Sequence, residues 1–304
     1  MKRSLLIPVV LVIMALNLSA QPATFLLHDN WKAKKAVDVL IDGTEITNVS
    51  FKPEGWLDAV VPGTILTTLL NNKLIPDPFF GMNNNLIPDV YNTGRDHYTY
   101  WFYSEFEMPE TKADQEVWLN FRGINYFADI YLNGNRVNTK IHQGMYLREK
   151  YLVTPFIVKG KQNKLAILVS PPNPVGNAAN GQGGDGTIGR NVTMQFTAGW
   201  DWICPIRDRN TGIWDQVTIE ITGPVDIKNP FIETRVPGIR VPGEKQGPAF
   251  IKPSVEVKNA SEQVVNGILK IEFEGYKNTV KVALNPFEEK SISSSIVIRL
   301  VFPQ

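Results

Sequence analysis

The stretch from Gly199 to Asp215 holds the densest set of chemically useful side chains in the sequence. Indoles and ionisable groups alternate within it, namely Trp200, Asp201, Trp202, Arg207, Asp208, Arg209, Trp214 and Asp215. An indole plane packs against the C–H face of a pyranose ring, while carboxylate and guanidinium groups hydrogen-bond to its hydroxyls. This combination is typical of a site that binds a sugar.

The same side chains also allow a purely structural interpretation. The tryptophans would then be core residues, and the charged run from Arg207 to Arg209 would form ion pairs that hold a loop. Trp214 opens an alternating strand pattern, which favours the core interpretation for that residue. Trp200 and Asp201 lie in a turn-rich stretch, where composition leaves both interpretations open.

No spacing in the sequence identifies a catalytic group. Retaining glycoside hydrolysis needs two carboxyl groups about 5–5.5 Å apart. The available carboxylates show no pattern that brings any two together; they are Asp201, Asp208, Asp215, Glu149 and Asp185. A G-x-S-x-G nucleophile elbow is also missing from the sequence.

Neither a metal nor an organic cofactor is expected. The histidines His28, His97 and His142 lack the short spacing of a metal site, and the single cysteine, Cys204, is interpreted as a small buried hydrophobic residue. The run 181–186 fits G-x-G-x-x-G, but prolines precede it and no helical pattern follows, so it does not indicate dinucleotide binding.

Charge and the N-terminal residues bear on partners and location. With 31 Lys and Arg against 30 Asp and Glu, the chain has no broad basic field for nucleic acid, and neutral partners are favoured. Lys2 and Arg3, an apolar run over 5–16 and small residues up to Ala20 are typical of a secretory signal peptide over residues 1–20. The apolar run is too short to span a bilayer. We therefore expect a periplasmic or extracellular protein with no membrane contact after signal cleavage.

Period-2 alternation predicts that strands position these side chains. Val117, Leu119 and Phe121 share one strand face, and Asn133-Gly134 predicts a tight hairpin. The clearest helical pattern covers Thr64–Asn72. Many strands separated by Pro- and Gly-containing turns predict a jelly-roll β-sandwich over residues 24–222.

A second unit is predicted after Thr222-Gly223-Pro224. All seven tryptophans precede this point, and strand-like alternation such as that at Val255 and Val257 continues beyond it. This all-β pattern predicts an immunoglobulin-like sandwich over residues 225–304. The sequence indicates four or five strands there, against about seven in a whole domain of that type, so we expect a partial domain.

Several segments together resemble a known family. They are Gly199–Asp215, Val61–Thr64, Leu74–Gly81 and Tyr98–Tyr103. They resemble the N-terminal sugar-binding domain of glycoside hydrolase family 2, in the branch of endo-β-mannosidase, β-mannosidase and exo-β-glucosaminidase. The resemblance implies a galactose-binding-like jelly roll, then an immunoglobulin-like domain, then a (β/α)₈ barrel that carries both catalytic glutamates.

A barrel of that type takes about 250 residues, more than this sequence leaves for it. The resemblance therefore implies the non-catalytic N-terminal portion of a secreted retaining β-glycosidase, inactive by itself. Its partners would be a β-linked oligosaccharide and the catalytic barrel. In the family the loop that resembles Trp200-Asp201 helps to hold the sugar, and Arg190 stands where relatives have a basic residue. A stand-alone carbohydrate-binding or lectin-like module remains the alternative.

Overall fold

The computed structural model describes residues 23–177, 185–194, 206–239, 242–243, 248–273, 276–293 and 298–300. The predicted signal peptide, the core of the glycine-rich run and the predicted sugar contacts Trp200 and Asp201 lie outside these ranges. Within them strands dominate, which confirms the predicted all-β class.

The first part of the chain forms a sandwich of two antiparallel sheets. Its strands are β1 (Ala23–Leu26), β2 (Lys32–Lys35), β3 (Leu57–Asp58), β4 (Tyr100–Glu107), β5 (Glu116–Phe121), β6 (Phe127–Leu132), β7 (Asn135–Arg136), β8 (His142–Gln143), β9 (Glu149–Leu152), β10 (Gln162–Ser170) and β11 (Val217–Thr222). The smaller sheet has the order β1-β11-β5-β9. The larger has the order β3-β2-β4-β10-β6-β7, with β8 also paired to β6.

Alternating apolar residues of both sheets build the core between them. Leu119 and Ile219 from the smaller sheet and Phe102, Ile130 and Ile167 from the larger sheet are all fully buried or nearly so in one cluster. Because successive strand residues point to opposite faces, this register sends Tyr103 and Ala166 to the outer face of the larger sheet.

Short helices connect these strands. They are α1 (Gly43–Ile46), α2 (Ile65–Asn71) and α3 (Val90–Thr93), joined by 3₁₀ turns at Ala36–Asp38, Asn83–Leu86 and Arg95–Tyr98. The predicted helix at Thr64–Asn72 is present, with Thr64 as its N-cap residue. The predicted hairpin is also present, since Asn133 and Gly134 both have positive φ between β6 and β7. No described helix is long enough to cross a bilayer.

The segment between β2 and β3 covers part of the outer face of the larger sheet. Ile46 of α1, together with Phe51 and Trp56, packs on Trp101 and Tyr103 as a second, smaller cluster. Phe51, Trp56 and Tyr103 meet edge to face, with ring centroids 5.4–6.0 Å apart. An open groove lies on the same face, beside this cluster.

The described residues after 224 form six strands, where the sequence indicates four or five. They are β12 (Val225–Arg235), β13 (Ala249–Asn259), β14 (Val265–Phe273), β15 (Tyr276–Leu284), β16 (Glu289–Ser293) and β17 (Ile298–Leu300). β13 pairs with β12, β16 and β17, while β14 and β15 form a separate hairpin. The immunoglobulin-like assignment of this part remains a prediction.

A charged contact joins the two parts of the chain. Lys150 of β9 places its ammonium 2.8 Å from Glu220 and 2.7 Å from the buried carboxylate of Asp226. The same ammonium lies 4.9 Å from the ring centre of Trp118, and that of Lys258, from β13, lies 5.8 Å from it. Trp118 is buried, although it alternates along β5 with the core residues Val117 and Leu119 and therefore faces away from the core of the first sandwich.

Candidate functional site

Within the predicted sugar-binding stretch, the structure describes the residues from Ile206 onward. These residues bind the N-terminus of α2. The N–H groups of Ile65, Leu66 and Thr67 open this helix and have no partners within it. The carbonyl oxygen of Thr211 accepts from Ile65 at 2.8 Å, the Asp208 carboxylate accepts from Leu66 at 2.8 Å, and the Thr64 hydroxyl accepts from Thr67 at 3.2 Å. Two of the three free donors are therefore satisfied from the 206–213 segment.

Asp208 has no solvent exposure. Burial raises its pKa to about 6, although hydrogen bonds from the Leu66 and Asn210 amides oppose the shift. This buried carboxyl group lies at the N-terminus of α2, so its role in the described structure is to hold the 206–213 segment against the helix.

Arg209 is almost fully buried and pairs with Asp89 through two parallel hydrogen bonds of 2.8 and 2.9 Å. Its remaining donors reach backbone carbonyls of Ile206, Val175 and Gly176 at 2.8–3.3 Å. A guanidinium has five N–H donors, and each of its three nitrogens is occupied here. These bonds tie the segment to two earlier regions of the chain, 33 and 120 residues before Arg209.

Arg207 adds a second guanidinium to Asp89, at 3.2 Å, and donates to the carbonyl oxygen of Asn84 at 2.9 Å. On the other side, the Asn125 amide donates to the carbonyl oxygens of Arg209 and Asn210 at 2.7 and 2.9 Å. Both of these accepting residues have positive φ. A side-chain amide thus supports a backbone turn that L-residues rarely adopt.

Gly212 completes this arrangement because no larger residue fits there. A Cβ atom on Gly212 would lie 2.6 Å from the carbonyl oxygen of Gly63 and 2.7 Å from the Cα of Thr64. We refer to residues 206–213 as the anchor. In the sequence the anchor begins five residues after Asp201.

The charged residues of the anchor therefore hold a loop within the fold, as the structural interpretation predicts. Trp214 does so too, since it is half-buried, donates to the carbonyl oxygen of Met145 at 2.9 Å and packs closely over Gly123. Arg190 is described and exposed, in a short stretch between two undescribed segments. Its neighbour Asn191 donates to the Tyr126 hydroxyl at 3.3 Å.

A buried histidine supports the loop that accepts the Trp214 hydrogen bond. The Nδ1 atom of His142 lies 3.0 Å from a carboxylate oxygen of Glu149, and Nε2 lies 2.7 Å from the carbonyl oxygen of Gly144. Burial lowers the pKa of His142, but these hydrogen bonds outweigh burial and raise it above its ordinary value. Acceptors facing both ring nitrogens favour the doubly protonated imidazolium.

An apolar surface beside the anchor was not expected from the sequence. From the end of α2 through the Asn83–Leu86 turn, four large apolar side chains of the described structure are more than 70% exposed, with 96% exposure for Phe79, 75% for Phe80, 74% for Met82 and 72% for Leu86. We call these four residues the apolar patch. Phe79 and Met82 also line an open cavity of about 670 Å³ with Leu66, Leu70 and Ile206. The aromatic pair between Pro78 and Gly81 was the available signal.

Among the described residues, no three His, Cys, Asp or Glu side chains are placed to hold a metal ion. Besides Asp208 and Asp215, which contact Leu66 and Arg122, two more of the carboxylates considered for catalysis have partners among the described residues. Glu149 faces His142, and Asp185 accepts a hydrogen bond of 2.6 Å from the Tyr91 hydroxyl.

Comparison with known proteins places residues 31–215 in the family described as glycosyl hydrolase 2 galactose-binding domain-like. The mannosylglycoprotein endo-β-mannosidase of Lilium longiflorum is 38% identical over 287 residues, which cover 91% of this chain and 29% of that protein. The exo-β-D-glucosaminidase of Streptomyces avermitilis is 29% identical over 63% of this chain and 19% of its own length. The chain thus spans less than a third of either relative.

Solved structures show the same fold. The exo-chitosanase of Amycolatopsis orientalis superposes with a TM-score of 0.71 at 20% identity, over 92% of this chain and 29% of its own. The β-D-mannosidase of Dictyoglomus thermophilum superposes with a TM-score of 0.63 at 21% identity, over 92% of this chain and 31% of its own.

Proposed function

Because this chain belongs to glycosyl hydrolase family 2, we propose that it forms the non-catalytic N-terminal portion of a β-glycosidase of the β-mannosidase or exo-β-glucosaminidase type. The match to relatives named for these activities supports the proposal, as does the share of about 29% that it covers in the lily protein. The substrate would be a β-linked oligosaccharide or glycoconjugate, hydrolysed with retention of configuration. Secretion, directed by residues 1–20, is part of the same proposal.

The anchor is the observation that carries the role of this portion. A loop that contacts sugar must be held in a defined position, because small displacements in a site weaken its hydrogen bonds. The buried Arg209–Asp89 pair and the Asp208 carboxylate supply that rigidity directly after the loop. Trp200 would pack against a pyranose ring, and Asp201 would accept hydrogen bonds from its hydroxyls.

The apolar patch supports a docked catalytic portion. Soluble proteins rarely expose several large apolar side chains together unless they form an interface. This patch lies beside Ile206, at the described start of the anchor. A catalytic barrel seated on Phe79 and Phe80 would lie next to the loop that is proposed to reach its substrate.

A chimera tests the proposal on activity. Residues 23–304 replace the matched 287-residue region of the lily enzyme, and hydrolysis of an aryl β-mannoside is measured. Asp201→Asn should lower kcat/KM roughly tenfold to a hundredfold, as expected for loss of one charged hydrogen bond of about 1.5–3 kcal/mol. The matched control is Asp215→Asn, a half-buried carboxylate 3.6 Å from Arg122, which should change kcat/KM less than twofold. Equal effects of both substitutions would contradict the assigned role.

The unfused chain distinguishes this proposal from a stand-alone binding module. Calorimetric titration with mannose- and glucosamine-containing oligosaccharides should give negligible heat, because half of the site is provided by the catalytic portion. Saturable binding that Trp200→Ala abolishes would favour the binding-module alternative. Turnover of aryl β-glycosides by the purified chain, lost in Asp201→Asn, would contradict the non-catalytic role.

A further inference from the structure

An open groove of about 1060 Å³ lies on the outer face of the larger sheet and shares no lining residue with the cavity beside α2. Its floor is formed by side chains from the neighbouring strands β2, β4 and β10, namely Lys32, Tyr103, Glu105 and Lys164. One wall is the Thr47–Pro53 loop, and the other combines the Asn133-Gly134 turn with residues 158–162.

The groove concentrates positive charge. Four lysines line it, and Glu105 is the one carboxylate among its described lining residues. The chain as a whole has a net charge of +1, so this local excess is not a consequence of overall composition. A concave surface lined by one sign of charge attracts ligands of the opposite sign.

Two of these lysines are engaged in the fold. The Lys164 ammonium donates to the carbonyl oxygens of Val49 and Phe51 at 2.8 and 2.6 Å and holds the wall in place, and that of Lys32 lies 2.5 Å from Asp58. Glu105 accepts a hydrogen bond from the Tyr103 hydroxyl and lies 3.6 Å from the Lys164 ammonium.

The other two lysines are available to a ligand. Lys52 and Lys161 are exposed on opposite walls, and neither has a carboxylate partner among the described residues. Lys161 directly precedes β10, which pairs with β4 along eight residues, and Lys52 directly follows Phe51, whose carbonyl oxygen accepts from Lys164. Two exposed ammonium groups can each donate hydrogen bonds to a carboxylate or a sulfate.

The remaining lining suits a ligand that is both apolar and rich in hydroxyls. Val49, which is 91% exposed, and the partly exposed ring of Phe51 present apolar surface on one wall, with Val158 on the other. Side-chain amides of Asn30 and Gln162, which both donate and accept hydrogen bonds, stand at the rim. A pyranose offers C–H faces to the first group and hydroxyls to the second.

We infer that this groove binds an acidic saccharide, a sugar that carries a carboxylate or a sulfate. Lys52 and Lys161 hold its charged groups, and the wall around Phe51 packs on its ring. None of the described lining residues belongs to the anchor, and this inference does not depend on the proposed role in glycoside hydrolysis. Its test uses the chain alone and no turnover.

Isothermal titration of the full chain with trigalacturonate and with a sulfated galactose disaccharide tests the inference. We expect saturable 1:1 binding of at least one probe and at least tenfold weaker binding by the double variant Lys52→Gln and Lys161→Gln. The matched control, Lys112→Gln with Lys140→Gln, removes the same charge from two exposed lysines outside the groove and should change affinity less than twofold. Equal melting temperatures verify that both variants fold.

Two further probes decide the ligand class. The methyl ester of trigalacturonate keeps the sugar rings without the charge and should bind at least tenfold more weakly than the free acid. Inorganic phosphate should not compete at the same concentration. No binding of either acidic probe, equal binding of the ester, equal competition by phosphate, or an equal loss in the control variant would each overturn the inference.

Discussion

Replacing Arg209 by lysine should destabilise the protein although the charge is kept. The guanidinium makes two hydrogen bonds to Asp89 and further bonds to the carbonyl oxygens of Ile206, Val175 and Gly176. An ammonium has three donors on a single atom and cannot reach the carboxylate and three separated carbonyl oxygens together. Two or three buried bonds are lost at about 1–1.5 kcal/mol each.

We therefore expect Arg209→Lys to lower the free energy of unfolding by about 3 kcal/mol. Arg209→Met should cost about 3–5 kcal/mol, because it leaves the Asp89 charge buried with only Arg207 as a cationic partner. Urea unfolding followed by tryptophan fluorescence measures both values. In a unit of about 200 residues, 3 kcal/mol corresponds to a decrease of about 6–12 °C in Tm.

Arg122→Lys provides the matched control. The Arg122 side chain is about half exposed and lies 3.6 Å from Asp215, so its loss should cost less than about 1 kcal/mol. An Arg209→Lys variant within 0.5 kcal/mol of the wild type would refute the reasoning, as would equal effects at the two arginines. Either result would mean that the anchor is not held by the hydrogen-bond geometry of this guanidinium.

Three further predictions concern titration and the contact between the two parts of the chain. Burial raises the pKa of Asp208 to about 6, so the folded protein binds this proton more tightly than the unfolded chain does, and the free energy of unfolding falls as the pH rises from about 4 to 6. In Asp208→Asn this contribution should be absent when urea unfolding is measured across the same pH range. The raised pKa of His142 stabilises the folded protein fully below about pH 6.5, and this stabilisation is lost as the pH rises through the folded-state pKa. Between pH 6 and 9 the Tm of His142→Asn should therefore fall less than that of the wild type. Lys150→Met removes the cation beside the buried Asp226 and should lower the free energy of unfolding by about 2–3 kcal/mol, less than for a fully buried pair because Lys150 is 23% exposed. Limited proteolysis should then cut faster between residues 222 and 225. Adding Asp226→Asn should recover part of the lost stability.

Local signals predicted the elements that depend on near neighbours. Asn133-Gly134 specifies its hairpin because both residues adopt positive φ. Thr64 caps its helix because its hydroxyl accepts a hydrogen bond from the amide of Thr67, three residues later. The sequence pattern indicates four or five strands after residue 224, fewer than the six described. β12 is difficult to recognise from the pattern, because its register shifts between Lys228 and Phe231. Asn229-Pro230 at that bulge interrupts the period of two on which the count relied.

Contacts between distant residues could not be predicted in the same way. The partner of Arg209 is Asp89, 120 residues earlier, and nothing local distinguishes it from other carboxylates. The Arg-Asp-Arg run allowed ion pairs as one interpretation, without their partners. The apolar patch was missed for a related reason, since alternation and composition report which residues are apolar and only the assembled sheets determine which of them stay exposed.

The surroundings of Trp118 have a spectroscopic consequence. Its indole donates to the Thr222 hydroxyl at 2.9 Å and lies near two ammonium groups, Lys150 from one side of residue 223 and Lys258 from the other. An indole ring interacts electrostatically with a cation over its face, so the electronic states of this chromophore depend on both charges. If the later strands detach, the ring loses one of the two cations and gains contact with water. A change in its emission would then follow their release directly, before any strand of the first sandwich unfolds, and a Lys258→Met variant would mark the part of the signal that belongs to this residue.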